Sequence, residues 1–107
     1  MTLEEVIQAH KILQNVECGV DIPPGWVLIL HDLATKLEAI PGVVIAQVKE
    51  KFGHLRVYHQ FGSSDDSLVD RLIAAAEDQA KVTCEVCGKS PAVLNASGWA
   101  TRCQEHT

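Results

Sequence analysis

Residues 84–106 read CEVCGKSPAVLNASGWATRCQEH and carry the clearest chemical motif of the chain. Cys84 and Cys87 are separated by two residues, and Cys103 and His106 follow with the same separation. Fifteen residues lie between the two pairs. This C-x2-C-x15-C-x2-H spacing is typical of a closed, structural zinc site. The sequence therefore predicts one structural Zn²⁺ with these four residues as its ligands.

The segment between the two ligand pairs predicts a β-hairpin, with strands near 92–94 and 99–101 around a turn at 95–98. A disulfide and a thioredoxin-type redox motif are the alternatives for these cysteines. We expect neither, because the sequence shows no secretory signal and a redox motif would lack the second ligand pair. Cys18 is remote from the motif, and we expect it to be a small buried residue rather than a ligand.

Composition indicates a single domain of 107 residues with enough apolar side chains, 47%, to bury a core. No apolar run approaches the length of a membrane span. The formal charge is −5, and the only basic region is 43–62, which lies between acidic stretches. An acidic chain is a poor general binder of nucleic acid, because phosphate contacts supply most of that affinity.

Helical periodicity predicts helices at about 2–17, 26–40 and 65–82. Thr2 with Glu5, and Ser63 with Asp66, match the capping box at a helix N-terminus. We expect Trp26 to anchor the core from the start of the second helix. His10 is expected to be solvated or half-buried on the first helix.

Alternation of apolar and polar residues predicts a two-stranded hairpin at about 43–61. In its first strand, 44, 46 and 48 should share one face, and 43, 45, 47 and 49 the other. In its second strand, 55, 57, 59 and 61 should share a face, and Phe52 in the turn should pack under a helix. The expected fold class is α+β, with an α+β core at 1–83 and a zinc-ribbon-like hairpin at 84–107.

The predicted hairpin concentrates cations with one aromatic residue, and two interpretations stay open. These residues form a solvated outer sheet face that discourages edge pairing, or they form a contact surface for an acidic protein or a nucleic-acid backbone. The candidate contact residues are Lys49, Lys51, His54, Arg56 and Tyr58. The acidic helices supply a second candidate set, which is Glu4, Glu5, Asp32 and Glu38.

The run QVKEKFGHLRVY at 47–58, with Cys84–Gly88, Gly98-Trp99 and residues 103–106, resembles a family of short proteins encoded largely in bacteriophages and prophages. The resemblance covers about residues 24–107 and implies origin and architecture rather than an activity. Small phage proteins include many inhibitors of host defence enzymes, so the resemblance favours that class and a location in the host bacterial cytoplasm.

Catalysis is not expected. Metal-dependent ββα nucleases need a His-rich or Asp-His pair between the zinc ligands, and residues 88–102 hold no His, Asp or Glu. The motif of a zinc deaminase is also missing from the sequence. We therefore predict a non-catalytic protein-binding module that inhibits a host nucleic-acid-handling complex, for example a CRISPR surveillance complex. The alternative is a nucleic-acid-binding regulator that uses the basic hairpin and the zinc hairpin.

Overall fold

The computed structural model describes residues 1–94, 98 and 100–106. Its helices and strands are α1 (Leu3–Ala9), β1 (Val20–Asp21), α2 (Val27–Glu38), β2 (Val44–Lys51), β3 (His54–Gln60), α3 (Asp66–Ala80), β4 (Val93–Leu94) and β5 (Thr101–Arg102). Short 3-10 turns lie at Lys11–Leu13, Pro24–Trp26 and Gln104–His106. The described residues thus form a mixed fold of α-helices and β-strands with a C-terminal β-hairpin. This confirms the predicted mixture of helices and strands.

The main sheet has three strands, in the order β1-β2-β3, where the sequence predicted two. β2 and β3 pair antiparallel, and β1 pairs parallel with β2 through Val20↔Val48. Hydrogen bonds from the Cys18 amide to Ala46 O and from the Val48 amide to Gly19 O hold β1 in place. The third strand was not predicted, because β1 has only two residues and is too short to show alternation.

The first helix ends at Ala9, so its predicted extent to residue 17 is wrong. His10 is extended, with ψ near 112°, and a 3-10 turn follows it. The Gln14 side chain donates to the carbonyl oxygens of Gln8 and Ile7 near the end of the helix, and Ile7 O also accepts from the His10 amide. The Thr2–Glu5 capping box at the start of the helix is confirmed.

The core lies between α2, α3 and the inner face of the main sheet. Trp26 is fully buried, which confirms it as a core anchor. Other fully buried large side chains of the core are Val6, Leu30, Leu37, Ile45, Val48, Leu55 and Val69. A separate small cluster joins Cys84, Ala92 and Cys103 in the C-terminal hairpin. None of the helices in the described residues has both the length and the apolar character needed to cross a membrane.

An irregularity between Ile45 and Gln47 shifts the register of β2 against β3. Ile45 and Val48 are therefore both buried, and the predicted assignment of faces in β2 is wrong. In β3 the alternation holds, since Leu55 and Val57 are buried.

Two further details differ from the sequence predictions. Phe52 is 49% exposed rather than packed under a helix, because it and Gly53 form a two-residue turn in which both φ angles are positive. At α3 the capping residue is Asp65, whose side chain accepts from the Leu68 amide, and not Ser63. The Ser63 hydroxyl instead donates to the Asp66 carboxylate, which also accepts from the Ser63 amide.

A side chain from α3 reaches the outer edge of the sheet. The Glu77 carboxylate accepts a hydrogen bond from the Val57 amide at 3.1 Å. Val57 lies opposite Val48, whose own amide points away from β3 to Gly19. Glu77 therefore satisfies a donor of β3 that faces away from the rest of the sheet.

Candidate metal centre and basic face

Four predicted ligands converge in the C-terminal hairpin. The sulfur atoms of Cys84, Cys87 and Cys103 and a ring nitrogen of His106 all lie within 4.8 Å of one another. Three separations are 3.1 Å (Cys103 Sγ to His106 Nδ1), 3.6 Å (Cys87 Sγ to Cys103 Sγ) and 3.7 Å (Cys84 Sγ to His106 Nδ1). Tetrahedral zinc with ordinary bond lengths would set such edges at about 3.5 to 3.8 Å. The four groups could therefore hold one metal ion.

Two short turns position these ligands. In the first, the Gly88 amide donates to Cys84 O and the Cys84 amide donates to Lys89 O, both at 2.9 Å. Gly88 has φ of +79°, a conformation that suits glycine. In the second, the His106 amide donates to Cys103 O at 3.0 Å and closes the 3-10 turn. Each pair of ligands is thus separated by one tight turn, and both turns direct their ligand atoms to the same cluster.

The thiols of the cluster influence one another's ionisation. Burial raises the pKa of Cys84, but hydrogen bonds from the backbone, above all those of Cys103 and Cys87, outweigh burial and lower this pKa to about 6. Burial raises the pKa of Cys103, and the neighbouring Cys87 and Cys84 side chains raise it further. One thiolate is therefore favoured at neutral pH, whereas three adjacent thiolates need a cation among them.

A partly buried ion pair between Arg102 and Glu85 supports the metal-binding turns. Arg102 Nε donates to Glu85 Oε1 at 3.0 Å, and Arg102 Nη1 donates to His106 O at 3.5 Å. The Glu85 amide also donates to Thr101 O at 2.9 Å, so the first turn is bonded to β5. This support could not be predicted, because no local pattern in the sequence links residue 85 with residue 102.

The first turn docks directly on the start of α2. The Gly25 amide donates to Glu85 O at 2.7 Å, and the Trp26 indole donates to Thr83 O at 3.0 Å. A Cβ atom on Gly25 would overlap the Cys84 carbonyl oxygen and lie 2.6 Å from the Glu85 carbonyl carbon. Only glycine fits at position 25 without moving the metal-binding turn.

The hairpin also docks on the turn between β2 and β3. Thr101 is 1% exposed, and its hydroxyl donates to Gly53 O at 2.7 Å. A Cβ on Gly53 would lie 2.5 Å from Leu94 Cδ1 and 3.2 Å from the Ala100 backbone. The C-terminal hairpin thus holds two points of the chain that are far apart in sequence, near residues 25 and 53.

The five predicted contact residues of the central hairpin share the outer face of the main sheet, which we call the basic face (Lys49, Lys51, His54, Arg56 and Tyr58). Lys49 lies opposite Arg56, and Lys51 lies opposite His54. Tyr58 is 46% exposed, and Lys49 Nζ lies 5.9 Å from the centre of its ring.

The charges of the basic face lack internal counter-ions. Lys49, Lys51 and Arg56 form no ion pair with any of the described residues. His54 Nδ1 is buried and has no hydrogen-bond partner among the described residues. Asp21 is the registered neighbour of Lys49 on β1, but the two make no ion pair.

The second predicted contact set is split by the fold. Glu4 and Asp32 are exposed on α1 and α2, whereas Glu5 belongs to the capping box. Glu38 Oε1 lies 2.5 Å from His10 Nδ1, and His10 Nε2 lies 2.8 Å from His31 Nδ1. His10 is only 5% exposed, so its predicted solvated or half-buried position is wrong. It is buried because this chain of side chains joins the end of α1 to α2.

Cys18 is exposed, and the prediction that it is buried is wrong. Its amide bonds the sheet edge at Ala46 while its side chain remains accessible.

The predicted turn residues 95–97 and Trp99 lie outside the described residues, so their part of the hairpin prediction stays a prediction. Comparison of the chain with protein-family models, with curated proteins and with solved structures finds no match.

Proposed function

We propose that this protein is a non-catalytic, protein-binding module whose C-terminal hairpin is held by one zinc ion. The observation that carries the proposal is the convergence of three sulfurs and one ring nitrogen, all within 4.8 Å of one another. Thiolate and imidazole ligands in this ratio select zinc over hard cations such as magnesium and calcium. The ligands would be Cys84, Cys87, Cys103 and His106.

The ligand set supports a structural rather than a catalytic role for the metal. Zinc prefers four ligands in structural sites, and a catalytic zinc usually has only three protein ligands and one water. With four protein donors at the corners, water has no vacant position on the ion. The metal would instead tie together β4, β5 and the turn that docks on Gly25.

For the partner, we propose a host protein or protein–nucleic-acid complex in the bacterial cytoplasm, with inhibition as the outcome of binding. A CRISPR surveillance complex is one concrete target. Support comes from the resemblance of residues 24–107 to phage-encoded proteins and from the formal charge of −5. All four residues of the predicted acidic set are exposed, and the side chains of Glu4 and Asp32 have no hydrogen bond or ion pair with the described residues, which leaves them available to a basic surface.

A second candidate function is a nucleic-acid-binding regulator. It is favoured by the basic face, where cations that form no ion pair with the described residues adjoin an exposed tyrosine. Cations that follow a backbone and aromatic rings that stack on bases are the usual elements of single-strand binding. Here the cations are few, so binding would weaken strongly with salt.

Metal analysis and affinity capture test the main proposal. Protein purified without added zinc should contain one zinc per chain, and His106→Ala should lower the affinity for zinc in competition with a chelator. Immobilised protein should retain a discrete host protein from a nuclease-treated bacterial lysate. Zinc-free protein with a fully alkylated Cys84 would refute the metal site, and tight binding of DNA or RNA without any protein partner would favour the second candidate.

A further inference from the structure

We propose that the basic face binds an extended acidic segment of the protein partner, with the carboxylates of that segment between the facing cations of β2 and β3. This inference deepens the proposed function and rests on it. The surface consists of Lys49, Lys51, His54, Arg56 and Tyr58, and it lies on the sheet side opposite the buried residues Val48, Leu55 and Val57.

The arrangement of charges on this face is unfavourable for the isolated fold. Lys49 and Arg56 are directly opposite each other on paired strands. Directly opposed side chains have Cβ atoms about 5 Å apart, and like charges at that distance destabilise a sheet. An acid at either position would form a favourable pair, but neither cation has an ion-pair partner among the described residues. Asp21 is the acid registered beside Lys49 on β1, but it forms no ion pair with Lys49 or Arg56, so both cations can pair with carboxylates of a ligand.

The geometry of the face matches an extended peptide. Lys49 and Lys51 are two residues apart on β2, as are Arg56 and His54 on β3. Lys49 with Arg56 forms one row across the two strands, and Lys51 with His54 forms the next. The two rows are therefore separated by about 6.8 Å, the distance between alternate side chains of an extended strand. A segment with an acid at every second residue can place successive carboxylates at successive rows, and the guanidinium of Arg56 can bind one of them with two parallel hydrogen bonds.

Exposed aromatic rings at two positions fit a protein ligand. Tyr58 borders the Lys49–Arg56 row, and Phe52 forms the tip of the hairpin with 49% of its surface exposed. Tyrosine and arginine are enriched among the residues that dominate binding at protein interfaces. The surface thus combines charge for acidic side chains with ring area for apolar ones.

The charge of the whole chain favours a short acidic segment over a nucleic acid. The chain carries −5, and acidic residues dominate on both sides of the basic hairpin in sequence. Three cations can neutralise few phosphates, and the remaining backbone of a long polyanion would meet net negative charge. A segment with two or three carboxylates needs no more than the cations that the face provides.

Fluorescence anisotropy with the intact, zinc-loaded protein tests the proposal. The probe is a labelled peptide of about ten residues in which glutamate and serine alternate, which places its acids at the row spacing. A matched peptide with glutamine in place of glutamate is the control, and labelled oligo-dT and oligo-rU represent nucleic acid. We expect saturable binding of the glutamate peptide, weaker binding of both oligonucleotides and none of the glutamine peptide.

Lys49→Glu is the decisive variant. It converts an opposed pair of like charges into an attractive pair with Arg56 but places a carboxylate beside Asp21 on β1, so the midpoint of unfolding should change little while the affinity for the glutamate peptide falls more than tenfold. Arg56→Gln should weaken the peptide by about fivefold. Arg71→Gln and Lys36→Gln, which remove exposed cations from α3 and α2, are the matched controls and should bind as the unmodified protein does.

The outcomes separate this inference from the proposed function. Unchanged peptide affinity in Lys49→Glu, or tighter binding of an oligonucleotide that is lost in the same variant, overturns the acidic-segment proposal. If Lys49→Glu still retains the lysate partner that the unmodified protein retains, the partner uses another surface and only this inference fails. If the unmodified protein retains no protein at all, the proposed function fails.

Discussion

Gly25→Ala should destabilise the protein far more than an exposed glycine-to-alanine change. The new Cβ would lie 2.6 Å from the carbonyl carbon of Glu85, and ordinary van der Waals contact needs about 3.5 Å or more. Either the metal-binding turn or the start of α2 must therefore move by about 1 Å. Gly25 does not have a positive φ, so the backbone itself tolerates alanine and the effect isolates the steric clash.

The magnitude follows from the two hydrogen bonds at this contact. A shift of about 1 Å stretches the bonds from Gly25 to Glu85 O (2.7 Å) and from the Trp26 indole to Thr83 O (3.0 Å) beyond useful length. The backbone bond contributes about 1 kcal/mol, and a buried indole N–H without a partner costs about 1 to 3 kcal/mol. We expect a loss of about 3 kcal/mol in the free energy of unfolding.

Denaturant unfolding of zinc-loaded protein measures this loss, and a competing chelator measures the zinc affinity. Gly62→Ala is the matched control. Gly62 has φ of +120° but no atom within 4 Å of the added Cβ, so it tests backbone strain without a clash. If Gly25→Ala costs less than about 1 kcal/mol and leaves zinc affinity unchanged, the docking of the metal-binding turn on α2 does not stabilise the fold.

Three further predictions concern other parts of the molecule. Removal of the metal should expose Cys84 and Cys103 to alkylation, and nuclear magnetic resonance should show the largest shifts in the C-terminal hairpin and near Gly53. His10→Ala should cost about 2 kcal/mol by denaturant unfolding, since it removes two part-buried side-chain hydrogen bonds of about 1 kcal/mol each, while Gln8→Ala should cost little. The hydrogen bond from Ser63, followed by those from the Gly62 and Ser63 amides, holds the pKa of Asp66 below its ordinary value of 3.8, so its stabilising effect is present above pH 4 and is lost as the pH falls through the lowered pKa. Ser63→Ala should raise the pKa of Asp66 in a carboxyl titration, and an unchanged value would contradict that assignment.

The metal cluster and the alternation of β3 could be predicted from the sequence because both depend on local spacing. Two residues between ligands make one turn, and a period of two puts Leu55 and Val57 on the buried side. The same local logic located α2 and identified Trp26 as a core residue.

The remaining features depend on residues far apart in sequence. The first helix has apolar periodicity beyond Ala9, yet it ends there because His10 bonds Glu38 and His31. The contact of Gly25 with residues 84 and 85 has no local sequence pattern, because it depends on the absence of a side chain where two distant segments meet. The irregularity at Ala46 has no signature in the local sequence. The sequence therefore predicted strict alternation along β2, and its two faces were assigned wrongly.

The hydrogen bond from Val57 to Glu77 has a consequence for aggregation. An open sheet edge is a template on which another chain can add a strand, and repeated addition leads to fibres. A strand approaching β3 at Val57 would have to displace a carboxylate of the same chain and leave it without its donor. Glu77→Ala would free that amide, and concentrated solutions of the variant should form light-scattering aggregates sooner than the unmodified protein does.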